Sequence, residues 1–266
     1  MSTIYSQEVC YVSYWENAPG QKMTPYVALA LVSMRRALGD RFLLLTPQML
    51  DNAINPSIVD KRWAFEPLSF SMAEGIEKIV AKSDFIRMAW IQQYGGVWLD
   101  ADTLMFRDPT DVLFPAGIST NLHWHSECLF GSLPGNQLLA RALEIGLAKE
   151  KHVWGNPGCI KNLVPQNLGQ VVSISGELVD PGYRPLYNFA NCEVMRRTDL
   201  SVDSFLLQPV ALLKLYNTYF RRTSSRIESV AEFLVNDSLL ARLFLHIEPD
   251  VCYWLAESEL LMDELA

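Results

Sequence analysis

Three aspartates and one arginine stand close together in the stretch from Ser83 to Asp102. Asp84 and Arg87 are three positions apart, so they share one face if this part of the chain is helical. Asp100 and Asp102, with one alanine between them, follow a short apolar run that reads as a buried strand. Ligands of open α/β sheets bind at the carboxyl ends of strands, and paired carboxylates there suit Mg²⁺ or Mn²⁺ carrying a phosphate compound. The stretch therefore predicts a metal and phosphate site.

Each pair also has a purely structural interpretation. Asp84 and Arg87 would form an ordinary ion pair on a solvated helix, and Asp100 and Asp102 would cap the end of a strand. The sequence Tyr94–Gly96 favours a functional interpretation, because glycine after a helix lets the chain turn directly into the strand. If helix and strand are antiparallel, Asp84 and Arg87 come near the two aspartates. The arginine would then add a positive charge for a diphosphate.

The elements before this stretch predict an α/β fold. Val9–Tyr14 alternates apolar and polar residues and reads as the first strand. Thr24–Pro25 is typical of a helix start, and the helix is expected to end at Leu38 before Gly39. Arg41–Leu45 then reads as a second, buried strand. A strand, a helix and a strand at this spacing predict a right-handed βαβ unit with parallel strands.

The rest of the chain alternates helix and strand signals without a repeat or a clear linker. We therefore predict one α/β domain over residues 1–266 with helical insertions. The further elements expected are helices over 71–82, 137–149 and 230–245 (interrupted at 236–237), an acidic helix at the C-terminus, and strands over 171–174 and 192–195.

Composition limits the class of partner and the compartment. The formal net charge of −8 argues against nucleic acid as a partner, since such proteins usually carry a basic face. Five cysteines without metal-site spacing predict a reducing compartment. The first residues do not resemble a signal peptide, and no apolar run reaches the roughly 20 residues that cross a membrane. We expect a cytoplasmic protein, either free or at the inner face of the membrane, with peripheral membrane association left open.

The run SDFIRMAWIQQYGGVWLDADT resembles the signature of the DXD-type glycosyltransferases of glycosyltransferase family 32. Within that family it is most similar to bacterial capsular polysaccharide synthesis proteins. The segments VSYWENAP and RFLLLTPQ extend this similarity over roughly the first 110 residues. The residues that recur at the offsets of the family are Asp84, Arg87, Tyr94, Gly95, Gly96, Asp100 and Asp102.

The resemblance implies a GT-A-type, Rossmann-like domain with a mostly parallel central sheet. Residues 1–110 would form the nucleotide-sugar-binding half and residues 111–266 the acceptor-side half. The implied enzyme is a hexosyltransferase that uses Mn²⁺ or Mg²⁺. It would move a sugar from a nucleotide diphosphate sugar, with UDP favoured, to a saccharide or lipid-linked saccharide in cell-surface polysaccharide synthesis. Retention of anomeric configuration is usual in the family and is expected here.

The resemblance also assigns roles to individual residues. Asp102 corresponds to the direct metal ligand. Asp100 corresponds to the residue that reaches the ribose and donor sugar, with metal contact partly through water. Asp84 matches the acid that grips donor-sugar hydroxyls, and Arg87 matches the arginine beside donor sugar and diphosphate. Tyr94 belongs to the same signature and is a donor-binding candidate.

Two further parts of the expected site are open. The nucleobase is expected to stack on an aromatic residue after the first strand, where Tyr14 and Trp15 are the candidates. A third metal ligand is expected from the C-terminal region, and His246 is the candidate because it follows a helix and precedes an aromatic pair. Asn236 and Asp237 compete with it, and a histidine without a ligand is an equally ordinary reading.

The acceptor side has its own candidates, His123, His125 and Glu127, and a plain polar loop is the alternative interpretation of this segment. Two other functions also remain open. Asp100 and Asp102 fit the first motif of haloacid-dehalogenase-like phosphatases, as nucleophile and acid/base, although no later metal motif of that class is found. A non-catalytic protein that binds sugar nucleotides would keep the same fold.

Overall fold

The computed structural model describes residues 9–18, 20–50, 76–148, 160–179, 190–206, 210–217 and 227–265. Contacts divide the chain into two compact units that alternate along the sequence. Unit 1 comprises residues 1–21, 41–100 and 116–174, and unit 2 comprises residues 22–40, 101–115 and 175–266. The chain passes from unit 1 to unit 2 directly after Asp100, so Asp100 belongs to unit 1 and Asp102 belongs to unit 2. The prediction of a single domain with halves 1–110 and 111–266 stays a prediction.

Unit 1 contains a six-stranded sheet. The eight strands of the described residues are β1 Tyr11–Tyr14, β2 Phe42–Leu45, β3 Gly96–Leu99, β4 Thr103–Met105, β5 Leu122–Ser126, β6 Leu129–Ser132, β7 Val171–Ser173 and β8 Leu212–Lys214. The sheet of unit 1 has the order β2-β1-β3-β6-β5-β7. Strand β1 is parallel to β2 and β3, and β5 is parallel to β7, whereas β6 is antiparallel to both neighbours. The predicted α/β class with a mostly parallel sheet is confirmed.

The helices surround these strands within their own units. Their bounds are α1 Pro25–Leu38, α2 Pro47–Leu50, α3 Ile76–Tyr94, α4 Thr110–Leu113, α5 Gln137–Ala148, α6 Ile160–Leu163, α7 Gly176–Val179, α8 Ala190–Met195, α9 Val202–Phe205, α10 Val230–Leu234, α11 Leu239–Ile247 and α12 Val251–Glu264. The prediction of a strand over 192–195 is wrong, because this segment forms α8 and buries Cys192 and Met195 on one side. No helix within the described ranges combines the length and apolarity that a bilayer span requires.

Helix α3 is the main helix of unit 1. Its buried residues Phe85, Ile86 and Met88 belong to a core that also includes Trp98 of β3 and Phe130 of β6. The helix predicted over 71–82 and the helical part of the stretch that begins at Ser83 form one helix from Ile76 onward, while residues 71–75 lie outside the described part. Burying this apolar surface fixes α3 against the sheet, and therefore fixes the position of its polar residues.

Two glycines join α3 to β3. Gly95 has φ +74° and its N–H donates to the Ile91 carbonyl at 2.9 Å, which ends the helix. Gly96 has φ +99°, and a Cβ on it would lie 2.7 Å from the Cys10 carbonyl oxygen. The tight turn makes β3 run antiparallel to α3 and lets β3 lie directly beside β1.

Unit 2 contains the two-stranded sheet of β4 and β8. The strands are antiparallel, with Thr103 opposite Lys214. Helix α1 packs on β4, where the Met105 N–H donates to Ser33 Oγ at 3.0 Å. Helix α1 spans the predicted residues, although its N-terminal Thr24 makes no side-chain cap.

Candidate active site

The antiparallel arrangement of α3 and β3 brings two polar residues of the helix beside the end of the strand. From Tyr94 back to Arg87 the helix rises roughly 10 Å. From Gly96 to Asp100 the extended chain covers roughly 13 Å in the same direction. Asp84 and Arg87 therefore lie level with Asp100, as the antiparallel alternative in the sequence predicts.

Asp84, Arg87 and Asp100 form an ion-pair triplet, and Glu127 lies within electrostatic range of Arg87. We call these four residues the Asp100 cluster. Arg87 Nη2 lies 2.8 Å from Asp84 Oδ1, and Arg87 Nη1 lies 3.9 Å from Asp100 Oδ1. Trp98 Nε1 donates to the same Asp100 oxygen at 2.9 Å. Residues two apart in an extended chain point to the same side, which explains why the indole of Trp98 reaches Asp100.

The electrostatics of the Asp100 cluster are dominated by its carboxylates. Burial acts to lower the pKa of Arg87, but the nearby carboxylates, Asp84 first and then Asp100 and Glu127, raise that pKa above its ordinary value. The guanidinium therefore stays charged. Two carboxylates pair with this one cation and a third acts on it electrostatically, so the cluster carries a net negative formal charge.

Exposure separates the members of the Asp100 cluster. The side chains of Asp84 and Arg87 are each 7% exposed, whereas that of Asp100 is 25% exposed. Asp100 is thus the member of this ion-pair triplet that an incoming ligand can contact. Asp84 and Arg87 are buried and hold Asp100 in position.

The turn between β5 and β6 lies beside Asp100. The Asp100 N–H donates to the Cys128 carbonyl at 3.1 Å, and Ser126 Oγ lies 2.9 Å from Cys128 Sγ. Glu127 occupies this turn within electrostatic range of Arg87. The structure therefore brings Glu127, a predicted acceptor-side residue, into the same set as the predicted donor-binding residues.

The two histidines of β5 are held by the fold. His123 is 5% exposed, and its Nε2 lies 3.1 Å from the backbone nitrogen of Ser119. The acceptor-side role of His123 stays a prediction, and the structure shows its ring buried and held by Ser119. His125 Nδ1 lies 2.9 Å from Ser126 Oγ, and burial lowers the pKa of His125 to about 4, so its imidazole is neutral near pH 7.

Asp102 lies in unit 2 and has different partners. Its Oδ1 accepts from the ammonium of Lys214, and its Oδ2 accepts from the Asn217 N–H at 2.5 Å. Its carbonyl oxygen accepts from the Leu215 N–H at 2.8 Å. We call Asp102, Lys214 and Asn217 the Asp102 cluster. Lys214 is not among the residues predicted from the sequence, although a single lysine inside the apolar run from Val210 to Tyr216 indicates a buried cation that needs a partner.

The donor set does not fit the Mn²⁺ or Mg²⁺ that the resemblance implies. Both carboxylate oxygens of Asp102 already accept hydrogen bonds from protein donors, one of them a cation. Among the described residues no group of three or more His, Cys, Asp or Glu side chains is arranged to bind a metal ion. His246 is exposed in the last turn of α11. Its predicted role as a third metal ligand stays a prediction.

Three aromatic candidates are also placed by the structure. Tyr94 lies at the end of α3 opposite to the Asp100 cluster and packs on Trp90 with ring centroids 4.5 Å apart, and its donor-binding role stays a prediction. Tyr14 is 4% exposed and belongs to the core, while its hydroxyl donates to Glu16, so it does not offer a stacking face. Trp15 is half-buried after β1 and donates to Asn17 Oδ1 at 2.9 Å. Trp15 therefore remains the stacking candidate.

Sequence comparison identifies the class of enzyme. A family model described as "Glycosyltransferase sugar-binding region containing DXD motif" matches residues 40–117. This range includes Asp84, Arg87, Asp100 and Asp102. The predicted enzyme class, a glycosyltransferase, is confirmed. The narrower assignment to family 32 and to its capsular group stays a prediction.

Two solved structures are similar to this chain. One is titled "PaToxG Glycosyltransferase", with 10% identity, coverage of 60% of this chain and 71% of that chain, and a TM-score of 0.43. The other is the apo form of the glycosyltransferase GlyE of Streptococcus pneumoniae TIGR4, with 13% identity, coverage of 97% of this chain and 64% of that chain, and a TM-score of 0.48. A search of the curated proteins finds no match. The assignment of enzyme class therefore depends on the sequence match over residues 40–117.

Proposed function

We propose that this glycosyltransferase moves a hexose from a nucleotide diphosphate sugar, with UDP favoured, to a saccharide or lipid-linked saccharide acceptor. The observation that carries the proposal is the Asp100 cluster. Buried Asp84 and Arg87 fix a partly exposed carboxylate at the carboxyl end of β3, inside the matched sugar-binding region. On the basis of the family resemblance, we also propose that the enzyme retains the anomeric configuration of the sugar. We further propose that it acts in cell-surface polysaccharide synthesis, in the cytoplasm or at the inner face of the membrane.

The charge of the Asp100 cluster favours the sugar over the phosphate part of the donor. Carboxylates only accept hydrogen bonds, and sugar hydroxyls are donors that match them. A net negative cluster attracts such neutral hydroxyls but repels a diphosphate. We therefore assign Asp100 to direct contact with the donor sugar, and Asp84 and Arg87 to positioning Asp100.

The same charge suits the reaction. In glycosyl transfer the bond from the anomeric carbon to the nucleoside diphosphate breaks, and the diphosphate leaves with the bonding electrons. A new bond forms to the acceptor hydroxyl oxygen, which gives up its proton. The sugar passes through an oxocarbenium-like state with positive charge. A carboxylate that Trp98 and Arg87 already orient stabilises that charge without having to reorganise.

The test is release of nucleoside diphosphate from a panel of UDP-, GDP- and ADP-sugars, first without and then with saccharide acceptors. The variant is Asp100→Asn, which keeps the size of the side chain and removes its charge. We expect its turnover to fall by about 100-fold or more, the range seen when one preorganised electrostatic contact is lost. The matched control is Asp111→Asn, because the Asp111 side chain is 76% exposed in a surface ion pair.

Three outcomes separate the alternatives. Loss of activity in Asp100→Asn but not in Asp111→Asn supports the proposal. Turnover of para-nitrophenyl phosphate with no sugar-nucleotide turnover contradicts it and favours the phosphatase interpretation. Binding of a sugar nucleotide with no turnover on any acceptor contradicts it in favour of a non-catalytic binding protein.

A further inference from the structure

Residues 214–217, at the end of β8 and directly after it, supply several hydrogen-bond donors to Asp102. The Leu215 N–H donates to the Asp102 carbonyl at 2.8 Å, and the Asn217 N–H donates to Asp102 Oδ2 at 2.5 Å. The ammonium of Lys214 contacts Oδ1. Lys214, Leu215 and Asn217 thus donate hydrogen bonds to both carboxylate oxygens and to the backbone carbonyl of Asp102.

One residue of this segment adopts an unfavourable backbone conformation that allows these hydrogen bonds to form. Tyr216, between Leu215 and Asn217, has φ +54° and is the one non-glycine residue of the described ranges with a positive φ. A left-handed conformation is unfavourable for such a residue and persists where surrounding contacts require it. Here it turns the chain so that the Asn217 N–H points back to Asp102. The Tyr26 hydroxyl of α1 donates to the Asn217 side chain and fixes the far end of the turn.

The position of Lys214 follows from strand register. Lys214 lies opposite Thr103 in the β4–β8 pair, so its side chain starts next to Asp102. Lys214 and Asp102 side chains are each 11% exposed, and the ammonium also lies 5.8 Å from the centroid of the Tyr216 ring. A buried carboxylate needs a cation, and the chain supplies one from its own sequence.

We propose that Lys214 is the resident cation of Asp102 and stands where the DXD pattern leads one to expect a divalent metal ion. A hard divalent cation binds through oxygen lone pairs, and each carboxylate oxygen of Asp102 already directs one of its lone pairs at Lys214 or at Asn217. A metal ion placed there would also lie beside the ammonium, and the two like charges repel each other. Lys214 is thus a positioning residue for Asp102, and Asp102 does not serve as a metal ligand in this protein.

The test measures metal binding directly, so its result does not depend on the proposed glycosyl transfer. Free Mn²⁺ is followed by electron paramagnetic resonance in a titration of the full chain without any sugar nucleotide. The proteins compared are wild type, Asp102→Asn, Lys214→Met, Lys214→Arg, the double variant Lys214→Met/Asp102→Asn, and Lys161→Met. Lys161 is an exposed lysine of α6 and serves as the control for loss of one positive charge.

We expect wild type, Lys214→Arg, Lys161→Met and Asp102→Asn to bind Mn²⁺ with affinities that agree within about threefold, because Asp102 is not a ligand in any of them. Lys214→Met is expected to bind at least tenfold more tightly, and the double variant is expected to lose that gain. Arginine keeps the cation, so Lys214→Arg separates the effect of charge from that of altered packing.

Two results overturn the proposal. One is wild-type Mn²⁺ binding at least tenfold tighter than that of Asp102→Asn, which would make Asp102 a metal ligand. The other is a folded Lys214→Met variant that binds Mn²⁺ no more tightly than wild type. If Lys214→Met does not fold, the comparison of wild type with Asp102→Asn still decides the question.

Discussion

Arg87 illustrates how one buried residue determines the chemistry of its neighbours. Its guanidinium bridges Asp84 and Asp100, and all three lie at the contact between α3 and the end of β3. The sequence predicts the shared helix face of Asp84 and Arg87 and their closeness to Asp100. It does not predict the burial, which converts a surface-like pair into a fixed support for the exposed carboxylate of Asp100.

This burial leads to a prediction about stability. Arg87→Met removes the cation and leaves the 7%-exposed Asp84 carboxylate without its charge partner. Breaking a buried ion pair on one side costs about 3–5 kcal/mol of unfolding free energy. Urea denaturation followed by circular dichroism measures the loss.

The control for Arg87→Met is Arg107→Met. Arg107 lies 3.3 Å from Asp111, with side chains 40% and 76% exposed. Exposed pairs contribute about 0–1 kcal/mol, so this variant should unfold at nearly the wild-type urea concentration. Equal losses in the two variants would show that burial does not set the contribution of Arg87.

Lys214 shows the limit of sequence reasoning at the scale of single residues. Asp102 and Lys214 are far apart in the sequence, and their contact exists only because β4 and β8 pair in a particular register. Local spacing carries no information about such a pairing. The position of the D-x-D pattern after a buried strand and the family resemblance both predict a metal site, whereas the structure pairs Asp102 with a lysine from a distant strand.

At the scale of elements, the unit of helix α3, two glycines and strand β3 was predictable because every signal in it is local. Apolar periodicity, the glycine stop and the short apolar run all lie within one continuous stretch. The β5–β6 hairpin was not predicted, because its polar and aromatic residues lack a clear alternation. The sequence predicts a strand over 192–195, but a short apolar run does not distinguish a strand from a buried helical turn.

The glycine turn gives a prediction at this scale. Gly96→Ala places a Cβ 2.7 Å from the Cys10 carbonyl oxygen at a position with φ +99°, so both backbone strain and a clash between adjacent strands arise. Strain alone costs about 1–2 kcal/mol for a residue other than glycine. The clash with a backbone atom adds about 1–3 kcal/mol, because neither strand can move without disturbing the sheet.

Gly117→Ala is the matched control for the glycine turn. Gly117 has φ +80°, but nothing lies within 4 Å of a Cβ at that position, so only the strain applies. Thermal unfolding should therefore show a larger loss for Gly96→Ala than for Gly117→Ala. A loss in Gly96→Ala no greater than in Gly117→Ala would mean that close approach of β3 to β1 does not require glycine.

At the scale of the whole molecule, the sheet of unit 1 extends beyond the region that the family model matches. The resemblance places the border between two functional halves at residue 110, and the family match ends at residue 117. The sheet of unit 1, however, continues through β5, β6 and β7, which end at Ser173. Strand β3, which directly precedes Asp100, lies between β1 and β6, so it is paired on both sides only when residues beyond 117 are present.

We therefore predict that residues 1–117, although they contain the whole matched region, do not fold alone. This fragment lacks three of the six sheet strands, and the apolar faces of β3 and α3 would lose Phe130 and the other core residues that follow. Urea titration of the fragment should show no cooperative transition. Co-expression with residues 118–266 should restore one, because the break falls in an exposed loop at Gly117. A cooperative transition of the isolated fragment would instead show that the sugar-binding region is an independent folding unit.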